Sequence, residues 1–379
     1  MHKMTFYPLG NADCCRLDTE GGRKILFDYA DVRDPKDKWD LRCDLPEELR
    51  ADLEAADRDF YDVVAFTHLD RDHLAGFSSF FYLEHAAKCQ GGDRVKIGAL
   101  WVPAAMITET APDDDEAKIL QKEARHRLKQ GAGIRVFSRP EALEEWCESN
   151  GVDFKKRRHL ITDAGQLAPE FSLSKDGIEF FIHSPFMARQ DDNTVVDRNG
   201  NALVVQVTFR VGDTDTKALL LADCHWDALV DIVKVTLRKQ NQCRLEWDIA
   251  KLPHHCSYLS LSEERGKEKT KPAAEVATLY ERYGQSGAIM VATCSPVPEK
   301  GAQDDNDQPP HRQAAAYYEE AAAELDGQFV VTMAHPTKSA PKPVVIEIGK
   351  RKGTLKKDAA TVGTVATSQR APRAGRADG

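Results

Sequence analysis

An apolar run, Tyr61-Asp62-Val63-Val64-Ala65-Phe66, leads directly into Thr67-His68-Leu69-Asp70-Arg71-Asp72-His73 and closes at Gly76. The run has the β-branched character of a buried strand. Two histidines and two aspartates then fall within six positions. Carboxylates crowded at the end of a buried strand repel one another, and one takes up a proton unless a cation neutralises them. The segment therefore reads as a metal-binding loop leaving a strand, with His68, Asp70, Asp72 and His73 as ligands. Gly76 suits a close backbone approach just beyond it. The bland alternative is a turn carrying a solvated His–Asp pair. Alternating His and Asp immediately after a buried strand argues against that.

Four further segments carry ligand-type side chains. Ala218-Leu-Leu-Leu-Ala-Asp223 is an apolar strand ending in an aspartate. Asp223 is read equally well as the cap of the following helix or as a carboxylate aimed at a site above the sheet edge. Lys251-Leu-Pro-His254-His255-Cys-Ser257 places adjacent histidines after a short strand and a proline. One of them would be a ligand while its neighbour packs or orients the site; the alternative is a pair of surface-loop histidines. His183 ends the strand Phe180-Phe181-Ile182 and is a weaker ligand candidate. His311 follows Pro309-Pro310 and alone reads as a helix-start residue.

The chain around these segments is globular: 379 residues, 41% hydrophobic and 30% charged, which holds one large or two ordinary domains. No run of about 18 apolar residues would make a membrane span, and the first residues lack the apolar core of a secretory signal. Nine scattered cysteines without a C-x-x-C pair fit reduced thiols in a cytoplasmic protein. The net charge of −9 is uneven. Residues 350–379 hold eight Lys or Arg against two Asp, a net of +6, leaving −15 on the rest. That Ala-, Gly- and Thr-rich segment has no aromatic residue and reads as a disordered tail able to contact phosphates or an acidic surface.

Strand and helix patterns alternate. Strands are expected at 4–9, 14–17, 24–29, 61–66, 95–102, 180–183, 203–210, 218–222, 249–252, 288–293, 329–333 and 344–348. Helices are expected at 44–56, 77–89, 106–133 (as a surface helix), 225–239, 273–283 and 313–325. The early hairpins call for mixed rather than parallel sheets. With no composition break and no repeat, residues 1–349 read as one α/β (α+β) domain and 350–379 as the tail.

In this order the segments resemble the metallo-β-lactamase-fold hydrolases over about residues 4–348. The branch they are most similar to contains the hydrolase domain of ComEC-type DNA-uptake proteins, which carries HxDxDH where most of the superfamily has HxHxDH. Gly10-Asn-Ala-Asp13 with Ile25-Leu-Phe-Asp28 is similar to that family's opening strand pair, and Asn201-Ala-Leu-Val-Val to its Asn-Ser strand. Cys256 and Ala222 stand where the family has glycine, so the backbone at 256 is expected to avoid positive φ.

The resemblance implies a four-layer αββα sandwich with two mixed sheets and the metals at one edge. It implies a metal-dependent hydrolase, a phosphodiesterase or nuclease using a hydroxide activated by two divalent ions, zinc or manganese. His68 and Asp70, with His183 as a possible third, would hold one ion. Asp72 and His73, with His254 or His255, would hold the other, and Asp223 would bridge. Asp72 is the candidate proton acceptor. His255, as the unused member of the pair, or His311 is the candidate leaving-group acid. Asp70 in place of histidine adds a hard oxygen ligand and shifts the preference toward manganese. The acidic body disfavours tight duplex binding. A small phosphodiester or thioester is the alternative substrate, and a metal-stabilised partner module in a larger complex is the alternative role.

Overall fold

The structure, a computed structural model, describes every residue except 111, 188–189, 191–196, 303–307 and 357–379. Its strands are β1 (His2–Phe6), β2 (Cys15–Asp18), β3 (Lys24–Phe27), β4 (Phe60–Ala65), β5 (Lys96–Pro103), β6 (Ile134–Phe137), β7 (Ile161–Thr162), β8 (Ile178–Ser184), β9 (Val204–Val211), β10 (Thr214–Leu220), β11 (Trp247–Lys251), β12 (Gly284–Ala292), β13 (Gln328–Val331), β14 (Val344–Gly349) and β15 (Lys352–Leu355). They form two mixed sheets. The first runs β15-β14-β1-β2-β3-β4-β5-β6-β7 and the second β13-β12-β11-β10-β9-β8. In the first, pairing is antiparallel from β15 to β3 and parallel from β3 to β7. In the second, β10 to β13 are parallel and β8 to β10 antiparallel.

Three apolar clusters separate four layers. The central one packs the facing surfaces of the sheets, including Phe6, Phe27, Val63, Trp101, Phe180, Val207, Ile249 and Val291. The others lie between each sheet and its outer helices. This is the mixed α/β fold with two mixed sheets expected above. Strands buried on both faces read as continuous apolar runs, which is why β4, β10 and β11 were legible.

The outer helices show why these residues are helical. Helix α1 (Leu45–Ala55) is capped by Asp44, whose carboxylate accepts from Glu47 N–H, and it buries Leu45, Leu49 and Leu53 at four-residue spacing. Helix α2 (Asp115–Gln130) is capped by Asp114 and ends at Gly131, where φ is 85°. Expected as a surface helix over 106–133, it is instead shorter and half-buried. Its Glu123–Arg127 pair at 2.7 Å lies inside, with Arg127 also donating to the Ile97 and Gly133 carbonyls. Residues 77–89 do not form one helix. The turn Phe77–Phe80 stops because Phe81 goes extended and bridges Val95; Phe77, Phe80 and Phe81 are all buried, and a single helical face cannot bury neighbouring rings equally. The first residues of the segment expected as a tail, 350–356, are described. Strand β15 folds back on β14, and Lys352 Nζ pairs with Asp248 at 2.6 Å. The rest of the tail, 357–379, lies outside the described residues. No described helix is long and apolar enough to cross a membrane.

Trp101 on β5 is the largest side chain at the centre of the inter-sheet core. It meets Phe180 and Phe137 edge-on at 5.2 and 5.4 Å between ring centroids. Trp101→Ala should destabilise the fold by about 3–5 kcal/mol in urea unfolding, because the void cannot collapse between two sheets. A loss under about 1 kcal/mol would show that this core is not the one holding the layers together.

Candidate metal centre

Parallel strands aim their carboxyl ends at a common edge, and the site collects there from the ends of β3, β4, β10, β11 and β12. Asp28 stands one residue past β3 with φ at 58°. Its buried carboxylate accepts from Thr67 N–H at 2.7 Å, Thr67 Oγ1 at 2.8 Å and His73 Nδ1 at 2.8 Å. Thr67 has one hydroxyl hydrogen, and Asp28 takes it. Thr67 Oγ1 must therefore accept from His68 Nδ1, 3.0 Å away. On the other sheet, His255 Nδ1 donates to the Thr293 carbonyl at 2.8 Å. All three imidazoles are thus tied at Nδ1 and turn Nε2 toward the cleft, the arrangement that orients histidine for a metal.

What faces those nitrogens is carboxylate. His73 Nε2 lies 3.2 Å from Asp223 Oδ1 and 3.5 Å from Asp13 Oδ2. His255 Nε2 lies 3.0 Å from Asp72 Oδ2 and 3.5 Å from Asp223 Oδ2. One ligand atom from each of Asp13, His73, Asp223 and His255 falls within 4.8 Å of the others, and all four residues are buried. Spacings of 3.0–3.5 Å match the edges of a coordination shell with bonds of about 2.1 Å. Apart from ion-pair contacts, the buried atoms His68 Nε2, His73 Nε2, Asp13 Oδ1 and Asp223 Oδ1 have no well-formed hydrogen bond. Orphaned groups of this kind are costly unless something binds them, and the donor set, imidazole nitrogen and carboxylate oxygen, suits a divalent cation. These residues fit a metal.

The electrostatics agree. Burial alone would lower the His73 pKa, but Asp223 and Asp28 outweigh it and raise it well above the ordinary value. His255 is likewise buried and raised, by Asp223 and Asp72. Burial would raise Asp223, yet the two imidazoles and Lys251 hold its carboxyl well below the usual range. Protons on Nε2 thus occupy the place a metal would take.

The expected ligands are not all brought together. Asp72, His73 and Asp223 converge. His255, expected as the proton donor, is the member of the histidine pair inside the cluster. His254, expected as the ligand, instead stacks on His225 at 5.3 Å, and burial lowers its pKa to about 4. His68 and Asp70 lie beside the cluster, their Nε2 and Oδ2 3.5 Å apart. Asp70 Oδ1 is engaged by Arg198 at 2.8 Å, which also pairs with Glu109 and Asp113. His183 is elsewhere: Nε2 bonds the Arg244 carbonyl at 2.9 Å and the ring packs on Phe181. A strand-end position does not make it a ligand, because β8 is the outer strand of its sheet. His311 braces the histidine loop, its Nδ1 accepting from Tyr258 N–H at 3.3 Å and its N–H bonding the Cys256 carbonyl at 3.1 Å. Cys256 does not avoid positive φ. His254, His255 and Cys256 have φ of 48°, 50° and 66°, and Ala222 has 46°.

Sequence reasoning passed over Asp13, Asp28, Lys251 and Arg198 as site residues. Asp28 carries the same signal as Asp223, an aspartate closing an apolar strand. Lys251 was visible only as a charge ending an apolar strand, and nothing local marks Arg198.

No family model matches the chain, and no curated protein matches it either. Among solved structures it is similar to a diphosphatase of the PhnP family (10% identity, 94% of this chain and 100% of that one, TM-score 0.33). It is also similar to a metal-dependent hydrolase of the β-lactamase superfamily (10%, 91% and 98%, 0.39) and to yeast PDE1 without ligand (11%, 87% and 98%, 0.42). At these values the likeness says nothing of activity.

Protons and metal compete for the same two nitrogens, so metal affinity should rise with pH, with proton release on binding. The metal-free protein should behave in the opposite sense. Raised histidine pKa values contribute stability that is fully present below about pH 6.5 and is lost as pH rises through the raised folded values. Melting of chelator-treated protein at pH 6 and pH 8 should show the higher midpoint at pH 6. Calorimetric zinc titrations in buffers of different ionisation enthalpy should show the protons leaving.

Proposed function

We propose that the protein is a metal-dependent hydrolase of the metallo-β-lactamase type that cleaves phosphodiester bonds in a nucleic acid or nucleotide. The observation that carries this is the convergence of His73, His255, Asp72 and Asp223 with every imidazole locked at Nδ1. A divalent cation held there would lower the pKa of a water toward neutrality and offset charge developing on a phosphoryl oxygen. The chain's own groups do the rest. Asp28 and Thr293 fix the imidazole rings. Asp72 Oδ2, at the mouth and about one third exposed, is placed to accept a proton. His254, whose burial lowers its pKa to about 4, is neutral at physiological pH and so is not the proton donor to the leaving group.

The phosphodiester assignment is supported by the HxDxDH form of the first motif and by the oxygen-rich donor set, which suits hard cations and their phosphate substrates. The negative body favours a nucleotide or short single strand over a duplex.

The test is hydrolysis of bis-p-nitrophenyl phosphate, cyclic nucleotides, RNA and single- and double-stranded DNA by protein loaded separately with zinc and manganese. Turnover of at least one phosphodiester is expected. The Asp72→Ala/His73→Ala variant should be slower by about a thousandfold or more with its circular dichroism unchanged. No turnover of any phosphodiester would overturn the assignment.

A further inference from the structure

Lys251 closes β11 between the two sheets, and its side chain is buried. Its ammonium donates to Asp13 Oδ2 and to the Ala222 carbonyl at 3.2 Å, and stands 3.7 Å from Asp223 Oδ1. The backbone is shaped around it. Ala222 takes a left-handed φ of 46°, costly for a residue with a Cβ, and its carbonyl serves both Lys251 and His254 N–H. Asp13 is held from the other side, its N–H donating to the Asp72 carbonyl at 2.9 Å. A charged amine is thus built into the wall of a small cavity that it lines together with Asp13 and Asp28, with Asp223 beside it.

Asp13 and the ammonium are in contact, so the carboxylate oxygen that approaches His73 is already shared with a cation. An ammonium adjoining Asp223 also leaves the pocket with a fixed positive charge whether or not metal is bound. Buried carboxylates without such a partner would have to take up protons or unfold the site.

Resting on the metal-binding reading above, we propose that Lys251 is a built-in counter-cation. It holds Asp13 Oδ2 and so weakens the pull of Asp13 on a metal, leaving only Asp13 Oδ1 free beside His73, His255 and Asp223, and it lets the fold stand without metal. Lys251 is therefore a positioning residue, and its signature lies in metal affinity and metal-free stability rather than in turnover.

The experiment compares the full-length wild type with Lys251→Met, Asp13→Asn and the double variant. Each is treated with chelator, melted, then titrated with zinc. Wild type should melt cooperatively without metal. Lys251→Met should melt lower by roughly 5 °C or more when metal-free, recover with zinc, and bind zinc about tenfold more tightly because Asp13 is released to the metal. In the double variant both effects should disappear. Asp13→Asn alone should bind zinc more weakly than the double variant, since the ammonium then turns to Asp223. This last comparison decides the matter even if Lys251→Met does not fold. Unchanged affinity and melting in Lys251→Met, or equal zinc affinity in Asp13→Asn and the double variant, would overturn the role of Lys251. A wild type that binds neither zinc nor manganese would instead overturn the metal reading itself.

Discussion

The triple acceptance by the Asp28 carboxylate is the contact on which the site depends. One buried side chain fixes the backbone of Thr67 at the end of β4, orders the Thr67 hydroxyl, and through it sets the tautomer of His68, while bonding His73 directly. A hydrogen bond from a neutral donor in water is worth about 1 kcal/mol. Around a desolvated carboxylate such bonds are stronger and depend on one another. Removing Asp28 would release two imidazoles at once, although it touches neither Nε2.

Why the ligands meet at one edge follows from topology. The parallel halves of the two sheets, β3 to β7 and β10 to β13, place strand carboxyl ends where successive loops converge. The packed core between the sheets keeps those ends at fixed separation. The edge is also where the backbone is strained: Asp28, Ala222, His254, His255 and Cys256 all have positive φ without being glycine. Each such residue costs on the order of 1–3 kcal/mol and persists only where surrounding contacts over-determine it. Those contacts are the ones that aim His255 inward and the Ala222 carbonyl at Lys251. Five of the ten non-glycine residues with positive φ among the described residues lie at this edge.

Much of this was legible from residue types and order. The His68–His73 loop announced itself because four ligand-type side chains crowd a buried strand end, and the apolar runs located most strands. The rest was hidden for physical reasons. Which of His254 and His255 points inward depends on three consecutive left-handed residues, and Cys256 gave the wrong expectation because it is not glycine. His183 looked like other strand-end residues, yet an outer strand carries it away from the cleft. Asp13 and Lys251 are 238 positions apart, so neither sequence neighbourhood holds the information that they pair. Asp70, which distinguishes this chain from the HxHxDH pattern, is drawn off by Arg198 from a distant segment. A second ion at His68 and Asp70 therefore has no built cluster among the described residues comparable to that of His73 and His255.

The central claim is that two imidazoles and neighbouring carboxylates, with no thiolate, form a metal centre. Zinc-edge X-ray absorption on the full-length protein, loaded and desalted, measures that directly. The account predicts two imidazole nitrogens at about 2.0–2.1 Å, completed by oxygens at about 2.0–2.2 Å. Protein that retains no metal, or a spectrum dominated by sulfur at about 2.3 Å from a cysteine such as Cys256 beside the site, would contradict it.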